Sequence, residues 1–379
     1  MRDLLLGIHP KDFDIATSAK PEEVRKIIYR AYLIGRRFRL VLVRRDDTQF
    51  EVATFRRMLS DEELESEDIE GDNMFGTPEE DACRRDFTIN GMFYDPIAGE
   101  LIDFGTGKSD LDQRLVRMIG EPNERLKEDP IRILRALRLK HMIGFSLEED
   151  LRKAIQNQAE TLLTSVLPRR REELLKFLRL PDPSQPFIEA YDLGVLQFIS
   201  PTLATYLERH TEQADQFYDL LKLGSGGFKE PAELFAFLVH AFYRAFVQPD
   251  PNHIRSKDIL EHEDLCLWMR EELGMFKSEM ALAAKALHFE GILDRIEDFD
   301  RKGERRQMAQ LSHEAFPLAL FFGERDFKLD SGGAAYWREK FEWAQGRKEF
   351  HTEEEDPRKK RRRRTRKRPS KKSSEAEEE

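Results

Sequence analysis

Asp12 and Asp14 stand two apart in the short apolar run KDFDIA, residues 11–16. On a strand, alternate residues share a face, so both carboxylates would project together, ~7 Å apart along the chain. Two hard oxygen donors on one face can share a pair of Mg²⁺ ions, which bridge nucleotide phosphates and an attacking hydroxyl. A solvated strand face or turn would use the same residues without a metal. Glu51 lies in a second apolar run, between Phe50 and Val52. An acid there is solvated, paired or metal-bound, because burying an isolated charge is very costly. A neighbouring strand could bring it beside the aspartates as a third ligand, and an outward-facing edge position accounts for it equally.

Further along, Arg84 and Arg85 precede Asp86. Two guanidinium groups beside an acid offer bidentate donors to phosphate or ribose, or a surface salt bridge. Glu128 and Asp129 open a segment in which Asp129, Arg132, Arg135 and Arg138 recur at three-residue steps. On a helix such neighbours share a face. A row of arginines with one acid could bond a base edge and neutralise phosphates; an ordinary charged face with an Asp129–Arg132 pair has the same spacing. Gly107-Lys108-Ser109 has the wording of the end of a P-loop, but the required earlier glycine falls on Ile102 and no strand–loop–helix context is expected, so a P-loop is excluded.

These residues need elements to position them. Residues 11–16, 38–43 and 48–55 are short, apolar and β-branched, with a hairpin loop expected at Arg44 to Asp47. Pro21 followed by two acids marks a helix start. Strand, helix, strand, strand predicts a small α/β head. Residues 60–81 are polar and acidic and are expected to form a loop; residues 86–95 and 100–104 are expected as further strands. From about Asn123 the apolar period becomes helical, and Ala232–Phe246, entered by Pro231, is dense in aromatics and expected in the core.

The length of 379 residues calls for two or more domains, and 40% hydrophobic residues suffice for large cores. No apolar run approaches the roughly 18 residues of a membrane span, and no secretion leader is expected. Two distant cysteines, Cys83 and Cys266, exclude a disulfide framework and fit a reducing compartment. No Cys or His pair has zinc-ligand spacing; His262, Glu263, Asp264 and Cys266 suit a solvated helix. The net charge of −10 is uneven. Residues 351–379 hold 12 cations and 8 anions, leaving 51 against 65 elsewhere, and Arg358 to Lys372 carries all twelve of those cations. Charge blocks of this kind are disordered interaction tails.

Taken in order, RDLLLGIHPKDFDIAT (2–17), GRRFRLV (35–41), FEVATFR (50–56), DNMFGTPEEDACRRDFTING (72–91), DFGTGKSDL (103–111) and EDPIRILRALRL (128–139) resemble class II RNA nucleotidyltransferases, the bacterial poly(A) polymerases and CCA-adding enzymes. The resemblance covers about residues 2–145. It implies an α+β protein with a polymerase-β-like nucleotidyltransferase head at 1–115. An all-α neck at 116–180 and body at 181–347 would follow, then a disordered basic tail at 348–379. It also implies that Asp12, Asp14 and Glu51 hold Mg²⁺. Arg85 and Asp86 would fall on the ribose-contacting motif, with Asp86 in the catalytic set, and Arg2 on a phosphate-contacting position. Asp129, Arg132, Arg135 and Arg138 would lie on the helix that reads the incoming base. The implied reaction is attack of an RNA 3′ hydroxyl on the α-phosphate of ATP, in the bacterial cytoplasm and without a membrane. LLLG-x-x-PKDFD, FG-x-x-EEDA-x-RRDFTIN and the basic tail favour poly(A) addition; CCA addition to tRNA is the alternative, and a catalytically impaired RNA-binding paralogue a third.

Three departures from the family pattern stand out. Its glycine pair, which opens a helix onto the phosphates, would precede the position held by Met1. The N-terminus is therefore expected to be truncated or its start misassigned, and an in-frame upstream stretch without a glycine pair would exclude misassignment. Thr106 replaces the first of two glycines, and Leu139 replaces a phenylalanine.

Overall fold

The computed structural model describes residues 1–10, 13–35, 40–45, 48–58, 75–224, 227–247, 255–326 and 328–353, with only the helical backbone given for 348–353. A short helix, α1 (Arg2–Leu5), precedes a four-stranded sheet. Its strands are β1 (Asp14–Thr17), β2 (Ala31–Ile34), β3 (Leu40–Arg45) and β4 (Thr48–Thr54), in the order β1-β4-β3-β2. β1 runs parallel to β4, and the other pairs are antiparallel. The parallel pair requires a crossover, and α2 (Pro21–Ile27) supplies its helix, entered by the expected proline.

Strand alternation divides the sheet chemically. Val41 pairs with Val52 on one face, where Val24 of α2 completes a core of three buried valines. The next row, Asp14, Glu51 and Leu42, has the opposite sense across three strands. Burial of each valine stabilises by about 1.5–3 kcal/mol, so this sheet has little hydrophobic reserve.

The second part of the head is smaller in strand content than expected. Helix α3 (Pro78–Cys83) occupies the end of the segment expected to be a loop, because Thr77 and Glu80 form a capping box and Pro78 suits the first turn. Residues 86–95, expected as a strand, contain a 3₁₀ turn at Thr88–Asn90 and only the short β5 (Phe93–Asp95), paired with β6 (Glu100–Ile102). Asp86 causes the break: its carboxylate accepts the Phe87 N–H and the Asn90 side chain. Edge-to-face packing of Phe55 on Phe93 joins this hairpin to the end of β4. Helix α4 (Gly107–Asp112) follows β6, so a strand–loop–helix sequence does exist at the P-loop-like tripeptide. The Asp103 carboxylate accepts the N–H groups of Gly105, Gly107 and Lys108. An anion from the chain itself therefore occupies that helix start, in the position a bound phosphate would take.

Helices continue from α5 (Pro122–Glu128) and α6 (Ile131–Ile143) through α7 (Glu149–Gln158) and α8 (Leu167–Leu178). Ile131, Leu134 and Leu137 of α6 are fully or almost fully buried, as their spacing predicts, and Gly144 closes the helix at φ +69°. The helices beyond share one continuous core with α6. Phe242 stacks on Trp268 at 4.3 Å, and the indole N–H donates to the Ser200 hydroxyl. The aromatic segment starts at Pro231, is α-helical to Phe242 and ends in a π turn at Tyr243–Val247. The last helix, Ser331–Glu353, runs six residues past the expected end of the body at 347. The tail proper, with Arg358 to Lys372, lies outside the described residues.

Candidate active site

Register brings the strand carboxylates together. Asp14 of β1 is the direct partner of Glu51 of β4, so both project from the same face. Both are exposed, and among the described residues neither has an ion-pair partner. Asp12 lies outside the described residues. The Met1 amino group lies within electrostatic reach of Asp3, Arg2, Arg85 and Asp14. The Met1 amino group thus lies between the first strand's carboxylate and the arginine motif in its electrostatic surroundings.

A polar relay connects the remaining head residues. Arg2 donates to the Asn90 side-chain oxygen at 2.8 Å, and Asn90 donates to Asp86 Oδ1 at 3.1 Å. Arg135 of α6 closes on Asp86 Oδ2 through Nε at 2.8 Å and its terminal nitrogen at 2.5 Å. Burial by itself would raise the Asp86 carboxyl; the Arg135 charge and the donors from Asn90, Arg135 and Phe87 outweigh it and hold the group below the usual carboxylate range. Asp86 is therefore a buried anion linking the head to α6.

Arg84 and Arg85 pair with Asp81, three and four residues back and so about one helical turn away, and not with the adjacent Asp86. Asp81, buried on α3, takes Arg84 on one oxygen and Arg85 on the other, and also accepts the Arg56 N–H. Arg85 further donates to the Asn90 carbonyl and lies over the Phe93 ring at 4.5 Å. Sequence reasoning missed Asp81, although its i−3 and i−4 spacing on a capped helix was the available signal. It also missed Arg125, which is buried and donates to the carbonyls of both Arg84 and Arg85 at 2.8 and 2.9 Å. No local pattern marks that contact, since 40 residues intervene.

The Asp129–Arg132 side-chain pair of the alternative reading does not form. Asp129 ends α5 with φ −140° and turns its carboxylate to the Ile131 N–H and to Arg169 of α8, at 3.3 and 2.7 Å. Arg132 instead reaches Glu128 and the Arg125 carbonyl. Arg138 is drawn away from the head to Glu173 of α8 at 2.8 Å. Arg135 thus contacts the head through Asp86, Arg132 stays with α5, and Asp129 and Arg138 both turn to α8.

The departures at 106 and 139 have local explanations. The Thr106 hydroxyl donates to the buried Asp110 carboxylate, which Thr88 and Arg117 also hold. Gly107 is the glycine that cannot change: a Cβ there would meet the Thr88 carbonyl oxygen at 2.5 Å. Leu139 is buried in the helical core.

Outside this site, His240, Glu290 and Asp326 present metal-type ligands within 4.8 Å of one another. Arg244 donates to Asp326 at 3.0 Å, and burial, which would lower the imidazole, is overcome by Glu290 and Asp326, which push His240 up to about 9. Two acids facing an imidazolium and a guanidinium form a compensated ion cluster. The His262 segment is a helix start, with His262 Nδ1 accepting the Leu265 N–H.

A mixed head sheet with paired strand carboxylates, joined through a buried aspartate to an arginine-rich helix, defines a nucleotidyltransferase-type architecture. The fold matches a Bacillus stearothermophilus CCA-adding enzyme solved with CTP, at TM-score 0.66 and 24% identity, over 90% of this chain and 75% of that one. Residues 1–117 match the poly A polymerase head domain, and residues 144–207 a family described as the probable RNA and SrmB-binding site of polymerase A. Poly(A) polymerase I of Haemophilus influenzae is 39% identical over 226 residues, 57% of this chain and 49% of that protein. A CCA-adding enzyme of Bacillus velezensis is 33% identical over 215 residues, 56% of this chain and 52% of that protein. Over residues 1–117 and 144–207 the chain is thus similar to the class II nucleotidyltransferases, the poly(A) polymerases and CCA-adding enzymes. It spans about half the length of the curated relatives it matches.

Proposed function

We propose that this protein is a polynucleotide adenylyltransferase that adds AMP from ATP to RNA 3′ ends. The observation that carries the proposal is the in-register pairing of Asp14 with Glu51 on one exposed strand face, beside the Arg2–Asn90–Asp86–Arg135 relay. Exposed carboxylate oxygens on adjacent strands, without an ion-pair partner among the described residues, suit a hard divalent cation such as Mg²⁺. Asp14 and Glu51 would hold it, with Asp12 as the third carboxylate. The metal, when bound, supplies positive charge to the entering and leaving oxygens of phosphoryl transfer.

The chain's own residues do the positioning. Arg2 and Arg85 border the phosphate and ribose region, and each is already oriented by a carboxylate, Asp3 or Asp81. Asp86, kept ionised by Arg135, holds the head against α6, where Arg132 and, just before the helix, Asp129 would meet the base. The RNA 3′ hydroxyl attacks the α-phosphate of ATP; the new P–O bond forms as the bond to pyrophosphate breaks, and the hydroxyl proton is lost. The same reading assigns residues 1–115 to catalysis, 116–180 to base reading and RNA contact, 181–347 to the body, and Arg358 to Lys372 to sequence-independent phosphate contacts. It places the work in RNA processing and decay in the bacterial cytosol. The 39% identity to poly(A) polymerase I supports ATP as the repeated substrate. The 33% identity to a CCA-adding enzyme supports a second reading, completion of tRNA ends.

Primer extension tests the proposal. The chain is mixed with Mg²⁺ and either a short A-rich RNA or a tRNA lacking its 3′ end, with ATP or CTP, and with Asp14→Ala as control. A long ladder from ATP on the A-rich RNA that Asp14→Ala abolishes is the expected result. Growth confined to tRNA and stopping at a fixed end establishes the CCA-adding reading. RNA binding without any extension by the parent chain refutes both and leaves an RNA-binding paralogue.

A further inference from the structure

The carboxylate face of the head sheet continues past Glu51. Across the four strands Asp14, Glu51, Leu42 and Tyr32 are successive partners in one row, so all four share a face. Arg44 stands two residues from Leu42 on β3 and belongs to the same face. Helix α2 packs on the opposite face, against Val41 and Val52. With strands about 4.8 Å apart, Tyr32 lies about 10 Å from Glu51 along the row, and Arg44 about 8 Å on the diagonal.

Neither side chain serves the packing of the sheet. Tyr32 is 53% exposed on an edge strand. Arg44 is exposed and has no ion-pair partner among the described residues. Its N–H donates to the Arg30 carbonyl at 3.4 Å, so two arginines stand opposite each other on adjacent strands. Like charges in that relation destabilise a sheet, and an anion from outside the chain would offset the repulsion. The same edge carries a second ring: Tyr29 is 86% exposed, with the Arg30 guanidinium 5.6 Å from its centroid. Rings interleaved with arginines suit single-stranded nucleic acid, whose bases stack on the rings while the guanidinium groups meet the phosphates.

The geometry of attack selects the substrate. In phosphoryl transfer the attacking and leaving oxygens are roughly in line, so RNA and pyrophosphate lie on different sides of the α-phosphate. The arginine motif assigned to ATP is joined to the sheet from the end of β4, where Phe55 packs on Phe93 and the Arg56 N–H meets Asp81. Strands β3 and β2 lie beyond Glu51 in the other direction. We infer that Tyr32 and Arg44 seat the RNA 3′ end on the head: the Tyr32 ring stacks a base next to the terminus, and Arg44 holds a phosphate beside it. The inference rests on the nucleotidyltransferase reading and adds to it two residues that act on RNA and not on ATP.

The test is steady-state extension of a short A-rich RNA, with RNA and ATP varied separately, for the parent, Tyr32→Ala, Tyr32→Phe and Arg44→Gln. Tyr32→Ala is expected to raise KM for RNA about five- to tenfold, with KM for ATP and kcat within about twofold of the parent. Tyr32→Phe keeps the ring and stays close to the parent. Arg44→Gln raises KM for RNA and lowers the salt slope of RNA binding by about 0.7, the share of one phosphate contact on a single strand. Melting temperatures are unchanged, since both side chains are exposed. Equal KM for RNA in Tyr32→Ala and the parent overturns the inference. So does a rise confined to KM for ATP, which makes the ring part of the nucleotide site, and so does a parental salt slope in Arg44→Gln. A parent chain that binds RNA and incorporates no nucleotide refutes the proposed function itself, and this inference with it.

Discussion

The head sheet and the helical body solve opposite problems. The sheet packs two valines against Val24 of α2 and leaves Asp14 and Glu51 in water, whereas the body buries large aromatics in a continuous core and encloses several of its charges. Ten of the twenty-one large apolar side chains exposed among the described residues lie before residue 35. Charge in the head is available for chemistry: Asp14 and Glu51 have no described ion-pair partner. Several charges in the body are paired internally: Glu290 is wholly buried against His240, and Arg171 is enclosed with Glu279. Binding sites need unsatisfied groups on a rigid support. Here the support is largely borrowed from the helices, through the Arg135–Asp86 and Arg125–Arg84/Arg85 contacts.

If that division holds, substitutions should separate activity from stability by region. The largest effect is expected from Asp14→Ala, which removes a metal-type ligand from an exposed strand. Extension should fall about a thousandfold while the unfolding midpoint in urea stays within error of the parent. A large loss of stability would instead make the strand carboxylates structural. Phe242→Ala should do the reverse in the body, costing about 3–5 kcal/mol by chemical denaturation, because the ring stacked on Trp268 leaves a cavity. Cooperative unfolding without such a loss would mean the aromatic core is less tightly packed than its contacts indicate.

Asp86→Asn sits at the boundary and should touch both properties. Leaving the Arg135 guanidinium without its anion should cost about 1–3 kcal/mol and lower extension as well. The pH dependence has a defined sign. Asp86 is held below its ordinary range when folded, so its contribution is present at neutral pH and lost as pH falls through the depressed value. Asp86→Asn should flatten the acid side of a stability–pH curve.

The smallest effect is expected on the alkaline side. His240 is pushed up to about 9 in the fold, so its stabilisation is complete below the ordinary imidazole range and declines as pH rises through about 9. Melting temperature measured between pH 7 and pH 10 should fall more steeply in the parent than in His240→Gln. Equal slopes would show that the buried cluster does not hold an imidazolium.

The legible parts were those encoded over short spans. Strand alternation around Glu51, the proline-led helix at 21, and the apolar period at Ile131, Leu134 and Leu137 all reflect interactions between near neighbours, and the structure contains each. Local spacing misled where a distant group competed. Asp129 and Arg132 have the spacing of a pair, but Arg169 and Glu128 offer better-placed partners. Residues 86–95 have the look of a strand, but the Asp86 side chain accepts the Phe87 N–H and the Asn90 amide and favours a turn.

Sequence alone nominated the groups suited to chemistry here: the carboxylates at Asp12, Asp14 and Glu51, the Arg85–Asp86 dipeptide, and the arginine steps of α6. Residue type and period settle these, because ligand hardness, charge and side-chain direction are properties of a residue and its immediate neighbours. Only the tertiary structure decided which groups meet. Asp14 reached Glu51 through a parallel register, Arg135 reached Asp86 across 49 residues, and Arg169 reached Asp129 across 40. Contacts at such separation are selected by how whole elements pack, since an exposed charge has many possible partners along the chain and folding leaves it few.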